Sequence, residues 1–338
     1  MPTIIDVAKA AGVSRSTASR ALSGHPSVDD GTRARVVQSA KDVGYRVNRL
    51  ASGLRSGRSY LLGLAVTNLV NASIQEITQV VQRHAREAGY KVLLGVTNGD
   101  PLVEAGVIEA FAESRVDGLI LMGSVENAEL INQTIDSGTP IVGMIRNPSG
   151  LHLPVVLPDN VGATRAATRH LLGLGHRRIA YIGGALELAS GMERFQGFSD
   201  EMAAAGAPID TGLVLSGPFT PEFGVSAAAT LLEHREQFTA LLVANHEAIF
   251  GVLPELVHAG VSVPDELSLI CVEDVSWFSA WRPPITVIDI DPDGIGETAF
   301  DVLMREISEP GVAVQPPVRR EARLIERGSC GPVRGAPS

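Results

Sequence analysis

Sulfur and aromatic side chains are scarce in this sequence. Two cysteines, Cys271 and Cys330, stand among 338 residues, and Phe, Trp and Tyr together make up 4%. Two cysteines so far apart supply neither a disulfide framework nor a CxxC pair for zinc or redox work. No apolar run approaches the ~18 residues of a membrane span. The opening MPTIIDVAKAAGV has neither the basic start nor the apolar core of a secretory signal. Motifs that carry chemistry are missing as well: there is no Walker loop, HExxH or GxSxG, and the glycine-rich stretches lack the dinucleotide fingerprint. The expectation is a cytoplasmic protein of a reducing compartment, not an enzyme, with no catalytic residues, no metal, no cofactor and no membrane partner.

What is present is a globular composition, 45% hydrophobic and 20% charged, with a net charge of -10. At roughly 150 residues per domain the length accommodates two domains with chain left over. Taken whole, the acidic balance argues against a polyanion partner, but the charge is unevenly divided. Residues 1–58 hold ten Lys and Arg against four Asp and no Glu, or +6, which leaves -16 for the remainder. A basic head on an acidic body is the pattern of a nucleic-acid-binding segment joined to a part with another task. On charge alone a solvated basic face fits equally well.

Local sequence decides between them. Thr3 and Asp6 have capping-box spacing ahead of a helix over Ile4–Ala11. Gly12-Val13-Ser14 then makes a short turn, and Ser14 caps a second helix over Arg15–Leu22. Arg15, Ser16, Ser19 and Arg20 fall on its outer side. A third helix is expected over Thr32–Val43, stopping at Gly44. Two short helices joined by a tight turn read as a helix-turn-helix, whose second helix presents its first residues to base edges.

The run DVAKAAGVSRSTASRALSG, followed by TRARVVQSAKDVGYRVNRLASGLRSGRSYLLGLAV, resembles the lactose-repressor (LacI/GalR) family of bacterial transcription regulators, and the resemblance extends over nearly the whole chain. It implies that Arg15, Ser16 and Thr17 read operator bases, with Thr3, Ser14, Ser19 and Arg20 beside them. Arg15 suits a bidentate contact to guanine or a contact to phosphate. The hinge, Asn48 to Gly57, resembles a segment that folds on operator DNA. Asn48 and Ala51 belong to it, and Leu54 stands where a leucine enters the minor groove as an apolar wedge, a linker leucine being the plainer reading. Gly53 within the hinge and Val47 in place of the usual proline depart from the pattern and favour a hinge that needs DNA to fold.

Beyond Leu61, apolar strand-like runs (61–66, 91–96, 118–123, 140–145, 178–184, 239–244, 267–272) alternate with amphipathic helical segments, as in parallel sheets covered on both faces. The expected fold is α/β: a three-helix helix-turn-helix head over 1–45, a hinge over 46–58, and a two-lobed periplasmic-binding-protein-like core over 59–338. The resemblance implies lobes joined by three crossovers. The N-lobe is expected near 59–159 and 290–318, and the C-lobe near 160–289 and 319–330.

Open α/β sheets bind ligands at the carboxyl ends of their strands. Positions there that match the family's effector pocket are Asn71, Ile74, Ser190, Arg194, Phe219, Asn245 and Glu273, with Trp277 nearby. Arg194 suits two hydroxyls or a carboxylate, or else a structural ion pair. Trp277 can stack on a sugar ring or fill an interface between lobes. Several positions depart from the family: Asn71-Ala72-Ser73-Ile74 lacks an aromatic platform, His246 follows Asn245 where Asp is usual, and Glu273-Asp274 replaces Asp-Asp. His246 reads as a cleft residue and not as a metal ligand. The expected function is a sequence-specific DNA-binding regulator, a repressor, whose homodimer meets a pseudo-palindromic double-stranded operator under control of a small-molecule effector, carbohydrate being the first class to consider. A transporter's solute-binding protein is the rival, and it has no use for residues 1–58. No leucine heptad near the end of the sequence marks a tetramer.

Overall fold

The structure is a computed structural model that describes residues 2–22, 25, 27–45, 58–147, 150–309 and 316–333. Two units, Met1–Tyr60 and Leu61–Ser338, each form their own contacts.

In the first unit, α1 (Ile4–Ala11), α2 (Arg15–Leu22) and α3 (Asp30–Asp42) enclose a small core of Val7, Ala8, Ala11, Ala18, Ala21, Val28, Val36 and Ala40. The Asp6 carboxylate accepts from the Thr3 N–H at 2.7 Å and from its hydroxyl at 2.8 Å, which fixes the entry to α1. Gly12 ends α1 in the left-handed region (φ 66°), and the Val13 N–H returns to the Ala8 carbonyl at 3.0 Å. α3 begins at Asp30, two residues before the periodicity of its apolar face, because the Asp29 carboxylate caps it by accepting from the Thr32 N–H at 2.9 Å.

The second unit holds two six-stranded sheets. The first contains β1 (Leu61–Val66), β2 (Lys91–Val96), β3 (Gly118–Leu121), β4 (Ile141–Met144), β5 (Val155–Pro158) and β11 (Val318–Arg320), in the order β2-β1-β3-β4-β5-β11. Its faces are covered by α4 (Ala72–Glu87) and α11 (Pro292–Ser308) on one side, and by α5 (Pro101–Glu113) and α6 (Ala128–Asp136) on the other. The second contains β6 (Ile179–Gly184), β7 (Val214–Gly217), β8 (Ala240–Val243), β9 (Ser268–Val272), β10 (Thr286–Asp289) and β12 (Arg323–Ile325), in the order β7-β6-β8-β9-β10-β12. α7 (Asn160–Gly173) and α8 (Ala189–Ala204) cover one face, α9 (Pro221–Leu232) and α10 (His246–His258) the other.

Pairing is parallel throughout except at the edge, where β12 runs antiparallel to β10. The chain passes between the sheets three times: after β5, after β10 and between β11 and β12. Parallel sheets buried on both faces account for the near-continuous apolar strands. Their carboxyl ends, where the chain leaves each strand for a helix, face one another across the lobes: the Asn71 amide of the first lobe donates to the Glu247 carboxylate of the second at 2.8 Å.

Candidate functional site

On the head, Ser14 does what its position before α2 demands: its Oγ accepts from the Thr17 N–H at 3.1 Å and lies 2.9 Å from the Thr17 hydroxyl and 2.8 Å from that of Ser16. The cap leaves Arg15 and Ser16 exposed on the first turn, with Thr17 half-buried behind them. Arg15, Ser16, Ser19 and Arg20 line one groove with Ile4, while Ser14, Thr17 and Arg20 line a second with Val28, Asp29 and Thr32. The Thr3 hydroxyl is engaged by Asp6. Asn48, Ala51 and Leu54 lie outside the described residues.

Two basic residues of the head bond its own backbone, which the charge count did not reveal. Arg33 donates to the carbonyls of His25 and Val28, both at 3.0 Å, and Arg35 donates to Ala11 O at 3.2 Å. Both hold the helices together.

In the core, β6, β8 and β9 are neighbours, so the residues that follow them converge. Arg194, on the second turn of α8, is 4% exposed, and its guanidinium distributes three bonds: Nε donates to Asn160 Oδ1 at 2.9 Å, Nη1 to the Ala244 carbonyl at 2.6 Å, and Nη2 to Glu273 Oε1 at 2.6 Å. The other carboxylate oxygen of Glu273 meets His246 Nδ1 and accepts from Asn245 Nδ2 at 3.4 Å. Arg194 beside it, with His246, outweighs the cost of desolvation and holds the Glu273 carboxyl down to about 2. Glu273 sits in the left-handed region at φ 75°, a conformation that costs a non-glycine residue of order 1 kcal/mol, and the bonds to its side chain keep it there.

Asn245 has a second role. Its Oδ1 caps α10, accepting from the Glu247 N–H at 2.8 Å, while Glu247 in the same turn accepts from Asn71 of the other lobe. Asn71 mirrors this by capping α4 through the Ile74 N–H at 3.0 Å. A second link between lobes leads to the same place: Arg319 of β11 binds Glu193 at 2.6 Å, and Glu193 accepts from the Asn160 amide at 2.9 Å. Asn160 and Glu193 were missed in the sequence. The one signal was that Asp159-Asn160 follows an apolar run directly, at the end of a strand.

Phe219 lies against this network, with the Arg194 guanidinium carbon 5.6 Å from its ring centroid. A Cβ on Gly184 would collide with the same ring, so the strand must end in glycine there. Ser190 occupies the first turn of α8 and is partly exposed. Two candidates sit elsewhere. Ile74 is 8% exposed and packs in the core between α4 and its sheet with Ile77, Val81 and Ile295. Trp277 stacks on Phe250 at 5.4 Å and meets Phe278 and Trp281 edge-on, forming an aromatic cluster of its own lobe. Among the described residues no group of three or more His, Cys, Asp or Glu side chains is arranged to hold a metal ion.

Residues 3–48 match the bacterial regulatory proteins of the lacI family, and residues 168–330 match a periplasmic binding protein-like domain. The ribose operon repressor of Escherichia coli (strain K12) is 30% identical over 331 residues, covering 97% of this chain and 100% of that protein. The transcriptional repressor PurR of Haemophilus influenzae (strain PittEE) is 30% identical over 316 residues, covering 93% and 94%. A transcriptional regulator CelR solved with cellobiose is 28% identical with a TM-score of 0.72, over 97% of this chain and all of that one. The lac repressor dimer bound to operator and an anti-inducer, at 23% identity and a TM-score of 0.84, shares the fold over 97% of this chain and 98% of that one. Head and core are thus matched together in proteins of one kind, and the chain belongs to the lacI family of bacterial regulatory proteins, DNA-binding regulators of transcription.

Proposed function

We propose that the protein is a repressor: a homodimer whose two heads occupy the half-sites of a pseudo-palindromic operator, released or fastened by a sugar or sugar derivative held between the lobes. The observation that carries this reading is the exposed first turn of α2, Arg15 and Ser16, on a capped three-helix head, in a chain whose relatives over its full length are repressors. Two-fold symmetry of the protein requires two-fold symmetry of the site, with half-sites about one helical turn apart. Arg15, Ser16 and Thr17 meet base edges, while Ser19 and Arg20 position the head on phosphates and Thr3 and Ser14 take part by capping the helices that present them. Asn48, Ala51 and Leu54 belong to a hinge that folds on the operator. The basic head supplies the electrostatic attraction, and the acidic body keeps the rest of the molecule from binding DNA indiscriminately.

The core supplies control. Arg194, Glu273, Asn245, Phe219 and Ser190 form the effector site at the carboxyl ends of β6, β8 and β9, with Asn71 across from them. The links Asn71 to Glu247 and Arg319 to Glu193 run from that site to the other lobe, so an effector that prefers one lobe arrangement shifts the head's affinity for DNA, and DNA shifts the effector's affinity by the same factor. No chemical step is required of any residue. The relatives that cover the head as well as the core are regulators, which sets aside the solute-binding reading.

The reading is tested by selecting operator sequences from a random duplex library with the full-length protein. Recovery of a pseudo-palindrome, bound by a dimer with affinity that falls steeply between 50 and 200 mM salt, supports it. Recovery of no sequence preference, or binding as a monomer, overturns it. Ribose, cellobiose and other neutral sugars are then scored for their effect on that complex.

A further inference from the structure

The turn between α2 and α3 is fastened more firmly than its exposure requires. The His25 N–H donates to the Arg20 carbonyl at 3.0 Å, and the His25 carbonyl accepts from the Val28 N–H at 3.2 Å. Arg33 of α3 adds a clamp, its Nη2 donating to the carbonyls of His25 and Val28, both at 3.0 Å. Val28 is the buried anchor of this turn, while His25 and Ser27 are exposed. An exposed side chain ordinarily keeps its rotamer freedom. The His25 ring does not: Nδ1 accepts from the Ser27 N–H at 3.2 Å and lies 2.8 Å from the Ser27 hydroxyl.

These bonds fix the chemistry of the ring as well as its position. A backbone N–H can only donate, so Nδ1 is the acceptor and the neutral ring carries its proton on Nε2. A proton taken up from water therefore goes to Nδ1. The Ser27 hydroxyl then exchanges roles and accepts from Nδ1–H over the same 2.8 Å, and the exposed Ser27 N–H turns to water. The ring holds its place in both states. Nε2–H is a donor in both, and only the charge changes.

The turn stands where that charge meets DNA. Ser27 lines the same groove as Ser14, Thr17 and Arg20, and the turn leaves the end of α2 opposite to the one that faces bases. Charged groups of both signs lie on the elements around it: Arg20 on α2, Arg33 and Arg35 on α3, Asp29 and Asp30 where α3 begins. Asp29 is turned to the Thr32 N–H, and Arg35 to the Ala11 carbonyl and the Thr32 hydroxyl. Arginine and aspartate keep their charge between pH 8 and pH 6, the range in which histidine as a residue type titrates. His25 is the one histidine of residues 1–58. Resting on the reading of the head as the operator-binding unit, we propose that His25 is a proton-linked contact to the DNA backbone, donating from Nε2 to a phosphate oxygen in each half-site and tightening that contact when the ring takes up a proton. A ring already immobilised loses little freedom on making the bond.

The experiment uses the full-length protein and its selected operator duplex, with affinity and its salt dependence measured at pH 8 and at pH 6. The wild type is expected to bind roughly three- to tenfold more tightly at pH 6, the size of two exposed ion pairs, one in each head. Its log–log salt slope should steepen by up to about 1.8, at ~0.9 per phosphate neutralised. His25→Gln keeps a hydrogen-bond donor but takes up no proton, and is expected to lose both changes while binding at pH 8 much as the wild type does. His25→Arg carries a fixed charge and should bind at pH 8 as the wild type binds at pH 6. Any response of the α-amino group or of the core histidines is shared by both variants and is subtracted with them. A wild type with the same affinity and slope at both pH values overturns the proposal, as does a His25→Gln protein that keeps the full response. Should His25→Gln lose operator binding at both pH values, His25→Arg decides: tight binding without a pH response supports the contact, and loss of binding overturns it by assigning His25 to the fold of the head. Failure of the operator reading shows itself differently, as a library from which no duplex is selected at either pH.

Discussion

Glu273 is held in a left-handed backbone conformation while its carboxylate joins Arg194, at 2.6 Å, to Asn245 and His246. The pair is seventy-nine residues apart in sequence and is brought together by the adjacency of β6, β8 and β9. A buried pair of this kind adds little net stability beside an apolar equivalent, but breaking it from one side is costly because the remaining charge has no water to turn to.

Arg194→Met is therefore expected to destabilise the core by about 3–5 kcal/mol. Denaturant midpoints of the variant and the wild type at pH 7 check this, and a loss below about 1 kcal/mol would show that Glu273 finds another partner. The wild type carries a matching pH signature. Its carboxyl is depressed from 4.5 to about 2 in the fold, so the stabilisation is complete above the unfolded value and drains away as pH falls from 4.5 towards 2. The shift corresponds to about 3 kcal/mol. Glu273→Gln should flatten the stability curve over that acid window; an unchanged acid limb would assign the loss to other carboxylates.

Tyr181 is fully buried between Phe195 and Phe198, and its hydroxyl has no partner. An unsatisfied buried hydroxyl is unfavourable, so Tyr181→Phe is expected to stabilise the ligand-free protein by about 1 kcal/mol. Differential scanning calorimetry reads this directly. A fall in melting temperature would mean that the hydroxyl is bonded, by water, in solution.

At the opposite ends of the same strands, His176 fastens the segment 328–333. It is 2% exposed, with Nδ1 2.9 Å from the Thr239 hydroxyl and Nε2 2.9 Å from Ser268 Oγ and 3.0 Å from the Gly331 carbonyl. Burial holds its pKa below the usual 6.5, so the fold keeps the neutral ring while the unfolded chain takes up a proton. The stabilisation is present above about 6.5 and is lost progressively as pH falls below that value towards the lower value of the fold. His176→Gln should lower stability at pH 8 and remove this part of the pH dependence below the usual histidine value. Protection factors of the Gly331 and Val333 amides, whose N–H groups bond Ser268 Oγ and Leu174 O, should fall on acidification in the wild type once the slower intrinsic exchange at lower pH is divided out. Equal protection factors at both pH values would separate the histidine from the segment.

How much of this was legible depends on the range of the interaction. The head was readable because each of its signals is local: Thr3 and Asp6, Gly12, and Ser14 act within four residues. Its larger boundary shift, the start of α3, came from Asp29, a cap hidden by a neighbouring second aspartate. β5 was not readable, because Pro154 and Pro158 bracket Val155–Leu157 and give it the look of a loop; β4 on one side and β11 on the other make it a strand. At the site, the family resemblance placed Arg194, Asn245 and Glu273, the last two at the ends of apolar runs and Arg194 on the helix that follows one. That Arg194 would be closed on Glu273, Asn160 and a carbonyl could not, since those partners are 79, 34 and 50 residues away and only sheet order sets them side by side. Ile74 shows the same limit from the other direction. The family resemblance put it among the effector positions, and its place on α4 turns it to the core.

Arg15 carries the last expectation. It opens α2 from a turn that Ser14 holds rigid, it is exposed, and it shares a groove with Ser16, Ser19 and Arg20. A side chain at the start of a recognition helix reaches the floor of the major groove, where guanine offers O6 and N7 to a guanidinium fork. Arg15→Ala is expected to weaken binding to the selected operator by about 1–3 kcal/mol and to relax base preference at one position in each half-site, with non-specific affinity and its salt dependence nearly unchanged. Competition binding against a panel of single-base operator variants reads the pattern. A uniform loss across the panel, with a salt slope reduced by about one, would instead place Arg15 on a phosphate, and the reading of bases would then fall to Ser16 and Thr17, whose shorter side chains touch fewer groups and discriminate less.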